Sequence, residues 1–458
     1  MLVRLKRDKK KFLITSSRYL GRTIKIQRCF LTTGVALLTS KNRSAFADNR
    51  MERKFPEGFY WGAATAAYQV EGGIENCDWA QAARAGKVPP CGTACDHYNR
   101  YEADFDIAKE LGHNCHRISI EWARIEPEEG RFDDKEIEHY RAVLAALHDR
   151  HLKPFITLWH FTLPQWFADK GGFEHPDAPE IFARYCAHVA AKLGNDCRHF
   201  STMNEPTVYV SNGWRRGKWP PFRKWPGIDN LKITTSGRKF EPSPLVSWDA
   251  VFRYFSVTRA LIRAHNAAYD AMKKAAFGVE VGIVHQVILF HANGNILNRL
   301  LARIMNWHWT HHFLAGVHKK CDSLGINYYH HKKFGDTAVY DKTDMDWDVY
   351  PEGLCDALLM VKRYRLPVWV SEAGVADAAD RIRGDYIIRL VRCIYTALEK
   401  GVDVRGYMYW SLLDNYEWEL GFEQRFGLVE IDYETLERKV RPSAYVYKKI
   451  IEANALID

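Results

Sequence analysis

The chain is expected to fold as one (β/α)8 barrel with loop insertions at the C-terminal face of its strands. Three observations point there. Eight apolar, strand-like runs alternate almost throughout with helical segments, and strands separated by helices pair in parallel through crossovers. Eight such units over about 400 residues match the size of a barrel with insertions. Polar side chains stand at the ends of successive runs, and in a barrel those ends share one face. A doubly wound open sheet is the alternative, and against it no Gly-rich phosphate loop follows the first strand.

The folded domain is taken as 51–458 and is preceded by a basic extension, 1–50. That extension holds thirteen Lys/Arg against Asp8 and Asp48, so the formal charge of +9 leaves the other 408 residues at −2. A near-neutral body offers nothing to a polyanion, and no nucleic-acid partner is expected. A short apolar run at 29–38 and the small-x-small triplet Ala45-Phe46-Ala47 resemble a cleaved signal, but the basic region before them is unusually long. The extension is therefore read as an over-extended start, with Met51 the true first residue and a cytoplasmic location; secretion is the alternative. No stretch approaches the ~18–20 apolar residues of a membrane span, and no membrane partner is expected. The ten cysteines are scattered singly, and Cys91 and Cys95 lack zinc-ribbon spacing, so they read as reduced core thiols with no metal.

Small residues dominate the middle of 55–72, as in a strand pressed closely by its neighbours. Helix 102–112 ends at Gly112, strand 115–122 follows, and then helix 134–151. Strand 153–160, helix 178–194 and a strand running to Met203 come next. A long loop over 214–248 carries Trp214, Trp219, Trp225 and basic residues; it is expected to wall a leaving-group subsite. Helix 250–276, strand 281–287, a helical aromatic stretch 296–318, strand 321–329 and helix 352–365 continue the rhythm. Strand 366–371, helix 380–400, strand 404–410 and helix 442–454 complete it.

Gln69, Arg117, His160, Asn204 with Glu205, His285 or Gln286, Asn327 with Tyr329, Glu372, and Trp410 then stand at successive strand ends. Buried polar groups are costly without partners, so this many at one barrel face implies a site. Two carboxyls amid amide, imidazole, tyrosine and tryptophan, with no cofactor loop, suit glycoside hydrolysis. One carboxyl must carry a proton for the departing oxygen, while the other must be ionised to face the cation developing at the sugar carbon; environment decides which is which. Arg117 is the cation expected to keep one of them ionised, and Tyr329 can donate to the same group.

At these residues the chain resembles glycoside hydrolase family 1, the β-glucosidase family, over essentially all of 55–450. Phe55-Pro56-Glu57-Gly58-Phe59-Tyr60-Trp61-Gly62 through Gln69-Val70-Glu71-Gly72 looks like the family's N-terminal signature. Thr202-Met203-Asn204-Glu205-Pro206 looks like its acid/base motif, and Val370-Ser371-Glu372-Ala373-Gly374 like its nucleophile motif. Trp410-Ser411-Leu412-Leu413-Asp414-Asn415-Tyr416-Glu417-Trp418 looks like its sugar-binding motif, with Arg425-Phe426-Gly427-Leu428 beyond. The resemblance implies a retaining β-glycosidase acting on small-molecule or oligosaccharide β-glycosides without cofactor or metal, Glu205 being the acid/base and Glu372 the nucleophile. Gln69, His160, Phe161, Asn204, Trp410, Glu417 and Trp418 would hold the sugar, and Arg117, Asn327 and Tyr329 would support the nucleophile.

Two positions depart from the family pattern. Ala373 stands where Asn usually follows the nucleophile, and Phe161 where Trp often follows His160. Members acting on 6-phosphorylated sugars lack the Glu-Trp pair and carry a Ser/Lys/Tyr clamp. Here Glu417 is present, and Arg425 is the one basic residue between Glu417 and Gly427, so unphosphorylated glycosides are expected. The competing readings are a carbohydrate-binding protein that has lost catalysis, and an endo-acting cellulase with an open cleft. A β-galactosidase or transglycosidase specificity would use the same site.

Overall fold

The computed structural model describes residues 53–224, 248–335 and 338–457. The basic extension, Trp225 and most of the loop expected over 214–248 lie outside the described residues. The strands β1 (Tyr60–Ala64), β2 (Cys115–Ser119), β3 (Lys153–Thr157), β4 (His199–Asn204), β5 (Glu280–Gln286), β6 (Leu324–Tyr328), β7 (Val368–Ala373) and β8 (Val404–Trp410) form one closed parallel barrel. Each pairs with its neighbours in chain order, and β8 closes on β1.

Helices expected from the sequence run between them, among them His97–Glu110, Asp134–Asp149, Ala178–Leu193, Trp248–Ala275 and Arg383–Glu399. The last shows why: Tyr386, Ile387, Leu390, Val391, Ile394 and Ala397 fall on one face at helical spacing and are buried. The stretch expected to be helical over 296–318 is broken, with Ile296–Asn306, a π turn at Trp307–His311, and His312–Val317. Two small sheets lie outside the barrel, the parallel pair Leu289–Ala292 with His331–Phe334 and the antiparallel pair Val429–Ile431 with Arg438–Val440. Strands of three or four residues are too short to declare a period.

Alternation along the strands sorts the barrel's contents. Inward residues near the strand starts fill the floor with rings: Phe155 meets His199 at 4.6 Å, Trp369 at 4.8 Å and Tyr60 at 5.8 Å. His199 Nδ1 lies 3.0 Å from a Glu280 carboxylate oxygen beside them, and burial holds the imidazole below its ordinary titration range. Further along, the same inward face carries Arg117, Thr157, Asn204, Asn327 and Glu372, all of them buried.

The two strands that deliver carboxyls break the alternation. In β4, three residues from Ser201 to Asn204 run opposite two in β5. In β7, Val370 to Glu372 runs opposite the single step from Ile326 to Asn327 in β6. An extra residue shifts the side-chain phase by one. As a result the consecutive residues Ser371 and Glu372 both reach the barrel centre, and Ala373 turns outward into the main apolar core. The Ala373 departure therefore lies on the far side of the strand from the site. Gly374 lets the chain leave closely past β8, since a Cβ there would meet the Trp410 carbonyl oxygen at 1.9 Å. Nine cysteines are described; all are unpaired, and only Cys355 among them is not buried.

Candidate active site

Glu205 sits immediately after β4 in a left-handed conformation, φ 46° and ψ 55°, where a non-glycine residue is strained. Its amide donates to Val284 O at 2.9 Å, and Pro206 opens the helix Pro206–Val210, for which its fixed φ is preset. The side chain is buried, and its Oε1 accepts from Asn327 Nδ2 at 2.7 Å. Burial first, and then the negative charge of Glu372, push the Glu205 carboxyl well above the ordinary carboxylate range; Asn327 and Arg117 pull the other way and are outweighed.

Glu372 has the opposite surroundings. Arg117 pairs with its Oε1, and the Tyr329 hydroxyl donates to its Oε2 at 2.7 Å. Arg117 is itself held by Thr157 Oγ1 at 2.9 Å and by Asn204 Oδ1 at 2.9 Å. Asn327 is oriented by Ser371, whose hydroxyl donates to Oδ1 at 2.7 Å. One network thus reaches both glutamates, with Asn204 and Asn327 between them, and presents a carboxyl whose titration is raised opposite an ion-paired one. Replacing Tyr329 by Phe removes a donor to a charged oxygen, a bond of about 1.5–3 kcal/mol, so kcat/KM should fall roughly 10- to 100-fold. Steady-state kinetics on a folded variant checks this, and an unchanged value would remove Tyr329 from the support of Glu372.

Above the glutamates, hydrogen bonding leaves two polar atoms unmatched. Asn204 Oδ1 accepts from Arg117, so its Nδ2 is the donor to His160 Nε2 at 3.1 Å. His160 is held neutral by burial and by the Arg117 charge, and its Nδ1–H is a buried donor without a protein partner. Gln69 Nε2 donates to Asn415 Oδ1 at 3.0 Å and to Tyr416 O at 2.7 Å, leaving Oε1 as a buried acceptor without one. A hydroxyl group is both donor and acceptor, so this pair suits a polyol.

The ring wall is continuous with these groups. His160 stacks near Trp410 at 5.9 Å and near Trp418 at 6.0 Å. Trp418 is backed by Tyr68 and Trp79, and Phe161 packs edge-on to it at 5.2 Å and against Trp219 at 4.8 Å. Asp414, paired with Arg441 and Arg425, folds the segment that presents Glu417 and Trp418. Arg425 is occupied there and with Ile431 O at 2.9 Å, so it supplies no phosphate clamp. Glu417 is half-buried, and burial, with the charges of Glu419 and Glu372, pushes its carboxyl up to about 8.

Glu417 therefore keeps a proton in the fold that the unfolded chain releases near 4.5. Its contribution to stability is complete below that value and is lost as pH rises toward about 8. Glu417→Gln should flatten this part of the Tm–pH curve and raise Tm on its alkaline side. Parallel curves for the two proteins in thermal denaturation would refute it.

Every site residue expected from the sequence among these strand ends converges, with two adjustments. Gln69 is not at a strand end but on the short helix Ala67–Val70 beyond β1. Of the pair His285 or Gln286, His285 faces outward and stacks on Phe313 at 5.9 Å, which leaves Gln286 for the inner face. Thr157, Ser371 and Asn415, which orient Arg117, Asn327 and Gln69, were not singled out from the sequence. Each is a small polar residue whose partner is distant in the chain, so even within the motifs that hold Ser371 and Asn415 nothing local marks the orienting role. Trp214 and Trp219 of the expected subsite wall are buried, Trp214 Nε1 donating to Glu174 at 3.0 Å and Trp219 Nε1 donating to Glu419.

The family described as glycosyl hydrolase family 1 matches residues 51–320 and 298–456. The chain is 32% identical over 449 residues to a β-glucosidase A of Acetivibrio thermocellus, covering 87% of this chain and 98% of that one. It is 29% identical over 498 residues to a β-galactosidase of Sulfolobus acidocaldarius, covering 88% and 96%. A solved β-glycosidase from Pyrococcus horikoshii superposes with a TM-score of 0.79 at 34% identity, covering 89% of this chain and 97% of that one.

Proposed function

The chain belongs to glycosyl hydrolase family 1 and is a β-glycosidase, and on that premise we propose that it removes terminal, unphosphorylated β-linked sugars with retention of configuration. The observation that carries the proposal is the opposed environment of the two glutamates. Glu205 holds a proton through burial and repulsion by Glu372, while Glu372 is held by Arg117 and Tyr329. In the first step a Glu372 oxygen attacks the anomeric carbon as Glu205 gives its proton to the departing glycosidic oxygen. The glycosyl ester that forms neutralises the Glu372 charge, one cause of the raised Glu205 titration, so Glu205, having given up its proton, stays ionised and can accept one from the incoming water. That water loses its proton to Glu205 and attacks the same carbon, releasing Glu372 and the sugar in its original configuration.

His160, Gln69, Asn204, Glu417 and the rings of Trp410 and Trp418 would hold the sugar, which fits gluco- and galacto-configured rings alike. The nine unpaired thiols support action in a reducing compartment, the cytoplasm. Turnover of a panel of aryl β-glycosides tests the reading, with gluco- and galacto-forms expected to be cleaved and 6-phospho forms spared. No turnover of any member would overturn it.

A further inference from the structure

The connection from β5 to β6 leaves the strand end beside Asn327 and carries the helix Ile296–Asn306. That helix is tied to the barrel mouth on one side. Asn306 bonds both Phe290 N at 2.9 Å and Phe290 O at 2.6 Å, and Trp309 Nε1 donates to Gln286 O at 3.0 Å. Ala302 and Trp309 pack with Ile288, Phe290 and Phe334 in a small core of their own. The other side of the helix is apolar and open. Ile296 is 84% and Leu297 68% exposed, and Leu300, Ile304 and Trp307 are each more than half exposed.

Residues 296, 300, 304 and 307 follow helical spacing and make one stripe, so this is a face rather than scattered apolar side chains. Exposed Arg299 and Arg303 flank one edge of the stripe. From Val281 to Cys321 the chain contains no Asp or Glu, whereas Arg299, Arg303, Lys319 and Lys320 lie within it. An apolar stripe edged by arginine and ending in tryptophan is the pattern of a helix lying in a membrane interface. A second copy of the chain would bring this acid-free stretch against itself, with no carboxylate to answer Arg299 and Arg303.

We propose that the stripe Ile296, Leu297, Leu300, Ile304 and Trp307 docks the protein on an anionic lipid bilayer, with Arg299 and Arg303 meeting the headgroups. No helix among the described residues is long and apolar enough to span a bilayer, so the attachment is peripheral; it departs from the expectation, drawn from the sequence, of no membrane partner. Because the helix springs from the catalytic end of the barrel, docking brings the site near glycosides whose leaving groups are apolar and carried in the membrane. That consequence rests on the glycosidase reading; the docking itself does not.

Sedimentation of the full-length chain with phosphatidylcholine and phosphatidylcholine–phosphatidylglycerol vesicles tests it. The wild type should bind, preferring the anionic vesicles. Leu297→Glu/Leu300→Glu/Ile304→Glu should lower the partition coefficient at least about tenfold. Arg299→Ala and Arg303→Ala should each lower only the anionic component, about fivefold. Phe277→Glu, at a still more exposed apolar position elsewhere, should change nothing. Turnover of a soluble aryl glycoside, expected to be unaltered in every variant, shows that they fold and keeps the catalytic reading separate. Equal binding by the wild type and the triple glutamate variant would overturn the proposal and assign any attachment to the basic segment 1–50. So would no binding at all, or a dimer by sedimentation velocity that the triple variant dissociates.

Discussion

Glu372→Gly is expected to abolish hydrolysis, lowering kcat by at least about 10⁴-fold, because it removes the carboxylate that attacks the sugar carbon. The loss should be of chemistry alone. Arg117 keeps its bonds to Thr157 and Asn204, and the pocket above is untouched, so KM for a slow substrate should move little. The glycine leaves space where the carboxylate stood, and added azide should enter it and attack the sugar carbon directly. The product is then the α-glycosyl azide from a β-glycoside, a single displacement with inversion. Product analysis by NMR decides: failure of azide to restore turnover, or a β-configured azide, would remove Glu372 from the nucleophile role. A second reading comes from the same position. Glu372→Gln removes the negative charge that helps keep the proton on Glu205, so the Glu205 titration should move down toward the ordinary carboxylate range.

Glu205→Ala should divide substrates by their leaving groups. General acid catalysis contributes about 10²–10⁴-fold, and its loss falls on alcohols that cannot depart without a proton. Nitrophenyl glycosides depart unaided, so their first step should survive while breakdown of the glycosyl-enzyme slows for want of a base. A burst of phenol followed by slow turnover is the expected time course. Azide should now accelerate the second step and give the β-glycosyl azide, opposite in configuration to the product with Glu372→Gly. The alkaline limb of the kcat/KM–pH profile should also vanish, since it reports the proton on Glu205. Equal losses on alkyl and nitrophenyl glycosides, or a retained alkaline limb, would take the acid role from Glu205.

The barrel was legible because each strand is an apolar run and each connection a periodic helix, both local signals. The site was legible because its polar residues fall where those runs stop. What escaped is non-local. Strict alternation would send Ser371 and Glu372 to opposite faces of β7, and only the register against β6 shows that both reach the centre. Ala373, the position where the family motif is broken, is displaced outward by that same extra residue. Thr157 and Asn415 gain meaning only from Arg117 and Gln69, which the fold brings to them from 40 and 346 residues away. The open face of Ile296–Asn306 was hidden for another reason: an apolar stripe reads as core until the structure shows which side is covered.

The rings of Tyr60, Phe155, His199 and Trp369 stop the barrel from below, so nothing reaches the site through the floor. The departing alcohol, the incoming water and the released sugar must all use the passage by which the substrate came. The first of these has to clear the way before the second arrives, and any alcohol lingering in the passage stands where water must stand. Rising product should therefore slow the protein by obstruction, and a crowded passage should turn hydrolysis into transfer of the sugar from one alcohol to another.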